Sequence, residues 1–201
     1  MEYEGLSRDD LDNVRALNRV WLEIDGSAEL RLAAQRMERL AATPFLLFSF
    51  CEYDDVRWSD LLGERRQLDI LERQAVVSAE LRELQVAGLG FLWELVRRNP
   101  YVARLVSGAS VSWCEQVAAS TLVRVLECAR IRMIEPRFSE DSAIKRRLLA
   151  RGSALDREMR VFAQIGALQS MLTSGQAAQY GGLPAAACRM SQTGRQVADE
   201  V

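Results

Sequence analysis

The sequence contains no histidine, one lysine and four prolines in 201 residues. Without an imidazole there is no triad or dyad built on a histidine base, no zinc site with a histidine ligand and no histidine pH switch. The four cysteines, Cys51, Cys114, Cys128 and Cys188, include no C-x-x-C pair, so no structural metal is expected. No phosphate-binding glycine loop precedes Lys145. Gly88-Leu89-Gly90 lacks both the third glycine and the preceding strand of a dinucleotide fingerprint. Long apolar runs are missing as well: the longest near the start is Phe45–Phe48, against the roughly 20 residues of a membrane span. Met1–Asp12 is acidic and polar, unlike a signal peptide. These exclusions predict a cytoplasmic protein with reduced thiols and no catalytic centre, cofactor, metal or membrane contact.

What is present is ordinary for a soluble domain with a real core: 49% apolar and 27% charged residues in 22.6 kDa. The charge is unevenly placed. Residues 1–64 carry 14 acids against 7 arginines, whereas 65–201 carry 14 acids against 19 bases, of which Lys145 is the one lysine. A codon composition that favours arginine is a simpler reading of this bias than a functional demand for its bidentate fork. The split reads as an acidic N-terminal helical segment (1–64) that forms one domain with a basic-leaning helical core (65–173), followed by a flexible tail (174–201) rich in Gly, Ala, Gln and Ser.

Apolar spacing of three and four predicts helices nearly throughout. Leu11, Val14, Leu17, Trp21 and Ile24 give one over Arg8–Ile24, with acids in its first turn. A second runs Ala28–Ala42 with the stripe Leu30, Ala33, Met37 and Leu40. Thr43-Pro44 has the order of a cap and a first-turn proline, which favours a buried helix over a buried strand for 45–51. A polar link at 52–55 leads to a short helix, Val56–Leu62. Residues 66–97 form a long helical stretch in which Gly88 and Gly90 mark a break or a close packing site. Asn99-Pro100 restarts a helix and Ser107-Gly108 turns it. Ser112–Ile134 reads as one central helix, apolar around most of its girth. Helices over 139–151 and 154–172 complete the set, the latter using Leu155, Met159, Phe162, Ile165, Leu168 and Met171. The fold class expected is all-α, a bundle of seven to nine helices.

Three constellations are candidates for function. Arg130, Arg132, Arg137, Lys145, Arg146, Arg147 and Arg151 could lie along an anionic partner such as nucleic acid; a solvated face complementing the acidic half accounts for them more simply. Phe91, Trp93 and Trp113 could line an apolar pocket for a small molecule between the glycine-interrupted helix and the central one. Residues 101–126 carry a turn glycine at the place a helix-turn-helix needs it, but the second helix is too apolar to face a groove. Cys114 and Cys128 read as core residues two heptads apart on one helix.

Residues 14–22 (VRALNRVWL) and 35–50 (QRMERLAATPFLLFSF) carry a resemblance. Over residues 12–62, about a quarter of the chain, the sequence resembles the N-terminal region of FlhD-type flagellar transcriptional regulators. That resemblance implies helical pairing and a role in transcription, and it assigns no site residue. The clustered zinc cysteines expected of the FlhC partner are absent. The functional expectation is a non-catalytic regulatory or adaptor protein, binding a protein partner, a second copy or DNA, with a helical small-molecule receptor as the alternative.

Overall fold

A computed structural model describes residues 5–24, 34–63, 78–131, 134, 136–138 and 142–180. The first helix, α1 (Arg8–Ile24), starts at a reciprocal cap. The Ser7 N–H and hydroxyl both donate to Asp10 Oδ2 at 2.8 Å, and the Asp10 N–H donates back to Ser7 Oγ at 3.1 Å. Burial pushes the Asp10 carboxyl up, but the bonds from Arg98 and Ser7 outweigh it and hold the group below its ordinary range. Helix α2 (Ala34–Ala41) is the described part of the predicted 28–42 helix; 28–33 lie outside the described residues.

The expected buried helix at 45–51 is not formed. Residues 45–50 are buried, but they run as a loop containing a two-residue strand, β1 (Phe48–Ser49), which pairs antiparallel with β2 (Arg137–Phe138). The cause is Asn18 of α1, which is fully buried. Its Nδ2 donates to the carbonyls of Ala41, Thr43 and Phe45, and its Oδ1 accepts from the Leu47 N–H at 2.8 Å. One side chain thus satisfies the backbone groups that a helix would have paired internally.

Helix α3 (Asp55–Leu62) is capped by Asp54, whose Oδ1 accepts from the Arg57 N–H. Helix α4 (Ala79–Arg98) begins at a Ser78 cap; the predicted stretch 66–77 lies outside the described residues. Neither glycine breaks it. Gly88 is a close packing site, where an added Cβ would stand 2.8 Å from the Phe50 ring. Asn99 then caps α5 (Pro100–Ser107), which ends in left-handed Gly108 at φ 73°.

The single helix expected over 112–134 is two, α6 (Val111–Ala119) and α7 (Leu122–Ile131). Ser120 separates them in extended conformation; its hydroxyl donates to the Gln116 carbonyl and its own carbonyl accepts from Trp93 Nε1 at 2.9 Å. Cys114 and Cys128 are both buried, as expected, but on different helices. After β2 come α8 (Ser142–Arg151) and α9 (Arg157–Tyr180), which runs on into the segment that composition assigned to the tail. The remainder, 181–201, lies outside the described residues.

Nine helices are thus formed among the described residues, and the bundle is all-α apart from the short strand pair. Helix α4 is central, packed against α1, α5, α6 and α7. One continuous apolar cluster joins the acidic and basic parts, from Val14 and Trp21 through Leu89 and Leu92 to Leu148 and Met171.

Candidate functional site

Helix α9 is where the structure departs most from the pattern its sequence suggests. Its large apolar residues were expected to face the core. Of that stripe Met171 is buried and Leu168 packs half-buried against the core, as expected, together with Ala163 and Ala167; but Phe162 (69%), Met159 (47%) and Ile165 (39%) on α9, and Leu155 (83%) in the turn just before it, are exposed. The small residues let α9 approach α8 and α5 closely; Met171 lies where a Cβ on Gly108 would stand, 2.6 Å from its Cγ. The warning in the sequence was the small-residue pair Ala163 and Ala167, in line with Met171 on the other side of the helix from Phe162.

The start of this face is held in place. Arg36 Nε donates to Ser153 Oγ, and Arg39 Nε to the Ser153 carbonyl at 2.9 Å, tying the α8–α9 turn to α2. Arg160 Nη1 donates to the carbonyls of Ala154 and Leu155 at 2.8 and 2.7 Å, and the Glu158 N–H to Asp156 Oδ1. The backbone under Leu155 is therefore fixed while its side chain stands in water.

Of the arginine candidates, Arg146, Arg147 and Arg151 are exposed on α8, Arg130 at the end of α7 and Arg137 on β2. Arg147 and Arg151 are one turn apart. Arg132 and the Lys145 side chain lie outside the described residues. Among the described residues the ion pair that joins the two charge halves is Arg98 to buried Asp10; Arg124 instead donates to the carbonyls of Leu62 and Gly63.

The three pocket candidates go separate ways. Trp113 is buried edge-on against Trp58, with ring centroids 5.5 Å apart. Trp93 is half-buried, gives its N–H to Ser120 and carries the Arg97 guanidinium 4.9 Å over its ring. Phe91 is half-buried against the core. The helix-turn-helix candidate fails on burial, because α6 puts Trp113, Cys114 and Val117 into the core.

A buried group that the sequence reading placed in a polar link is Glu52. Its side chain is fully buried, with one carboxyl oxygen bonded to Ser49 Oγ and Oε1 without a partner. Burial pushes this carboxyl up to about 7. Burial likewise pushes the Cys114 thiol up to about 12, opposed in part by Arg104, so it is an inert thiol at neutral pH. Among the described residues no group of three or more metal-ligating side chains is present, and no helix is long and apolar enough to cross a membrane. No family model, curated protein or solved structure matches the chain.

Proposed function

We propose that this chain acts without chemistry of its own, as a helical regulatory or adaptor protein that holds a protein partner on the outer face of α9. The observation that supports this reading is the exposure of Met159, Phe162 and Ile165 along one side of a helix whose other side is locked to the bundle, with Leu155 exposed in the turn before it. An ordered apolar face of this kind is stabilised by being covered, and its fixed backbone lowers the entropy lost on docking. The resemblance of residues 12–62 to FlhD-type regulators adds transcription as the setting. The test is recovery of the tagged full-length chain from the cells that make it. Protein bound to the wild type and lost from Phe162→Glu supports the reading; identical recoveries contradict it.

A second reading takes α8 as a surface for an anionic partner such as nucleic acid. It is favoured by exposed Arg147 and Arg151, one turn apart, for which the described residues supply no carboxylate. DNA affinity measured against salt decides it, since phosphate contacts give a steep slope, and no binding at low salt ends it.

A further inference from the structure

Helix α9 carries both halves of a contact that the molecule makes once internally. Within the fold, the Phe50 ring lies against Gly88 of α4, so close that a Cβ there would stand 2.8 Å from it. On α9, Gly166 has no atom within 4 Å of where its Cβ would be, and Phe162, one turn earlier on the same face, is 69% exposed. A ring and an empty glycine slot one turn apart are self-complementary under a two-fold axis. If two α9 helices run antiparallel with the axis passing between residues 162 and 166, each Phe162 meets the other copy's Gly166.

We propose that the outer face of α9 is occupied by a second copy of this chain, each Phe162 seated over the Gly166 of its partner. This rests on the reading of α9 as a docking face and names its occupant. In that register Met159 falls opposite Gln169, and Ile165 flanks the crossing point. Glu158 is the one charged residue at the edge of the stretch, so two such faces meet without opposing rows of like charge. The three exposed apolar side chains of the helix, Met159, Phe162 and Ile165, supply on the order of 300 Å² per copy, judged from the area that burying such side chains removes from water. A stable dimer takes about 800 Å² from each partner. Exposed Glu158, Gln169 and Thr173 beside them extend the face as a polar rim.

The test is sedimentation equilibrium of the full-length chain at micromolar concentration, alongside Phe162→Glu and Gly166→Gln. Gly166→Gln fills the slot without adding charge, at a position with open space around it. The expected result is a two-chain mass for the wild type and association weakened by roughly tenfold or more in both variants, with unchanged far-ultraviolet circular dichroism. Should Phe162→Glu fail to fold, Gly166→Gln decides alone. A wild type that stays a single chain overturns the proposal, as does a dimer indifferent to both substitutions. If the wild type is a single chain yet retains another protein that Phe162→Glu loses, the adaptor reading stands and only the second copy is wrong; if it retains none, both fall.

Discussion

Helices α4 and α9 each place a glycine on a face where apolar side chains gather, and the two are completed differently. On α4, Gly88 is covered by Phe50 and sits among Leu84, Leu89, Leu92 and Leu95, all buried. On α9, Gly166 is open and the aromatic side chain beside it points to solvent. Apolar composition does not distinguish them. What does is whether another segment of the chain arrives: α4 is met by 45–50, which Asn18 holds extended, while the outer side of α9 is met by none of the described residues. A glycine in a helix can therefore mark a contact already made or one left for a partner.

The largest effect predicted is at the segment that completes α4. Asn18→Leu removes four bonds to buried backbone and should destabilise the protein by about 4 kcal/mol, read by urea denaturation. If the loss is under about 1 kcal/mol, Asn18 does not hold 45–50 in place and the account of α4 fails.

The next is a pH effect at the end of the same segment. Glu52 is lifted from 4.5 to about 7 by burial, so between those values the folded protein keeps a proton that the unfolded chain has released. Stability is then full below the lower value, is lost as pH rises to about 7, and levels off above it, a change on the order of 3 kcal/mol. Glu52→Gln should flatten that slope and leave the protein more stable than wild type at pH 8. A slope that persists in the variant assigns it to another group.

The direct comparison of the two glycines is smaller. Gly88→Ala should cost about 1–3 kcal/mol, since the Phe50 ring must move, and Gly166→Ala should gain about 0.5–1 kcal/mol of helix propensity in the separated chain. Equal signs would abolish the contrast. Smallest of all, Arg147→Glu on the exposed side of α8 should change stability by less than about 0.5 kcal/mol in thermal unfolding.

Much of this architecture is legible in the sequence because it is set locally. The bounds of α1, the Asn99-Pro100 restart and the Ser107-Gly108 turn follow from acids, caps and a left-handed glycine within a few residues of the feature. The misreadings share a different physics. Thr43-Pro44 looks like a helix start, but Asn18 satisfies the backbone beyond it from more than twenty residues away. The break at Ser120 depends on Trp93, equally distant. Helix α9 extends beyond Thr173, whose hydroxyl is accommodated by donating back to the carbonyls of Gln169 and Ser170 within the helix. For α9 the periodicity is real: Leu168 and Met171 turn toward the core, and Met159, Phe162 and Ile165 turn away from it. A spacing rule finds an apolar face but cannot choose between the side with small residues, which packs closer, and the side with large ones. The arginines, the pocket aromatics and Glu52 could not be placed for the same reason: their surroundings are made by distant segments.

The account turns on the outer face of α9 being completed by a second chain, and the concentration dependence of thermal unfolding reads that directly. Association stabilises the folded state by mass action, so the Tm of the wild type should rise as protein concentration is raised, and that of Phe162→Glu should rise less over the same range. A wild-type Tm that does not move with concentration would contradict it.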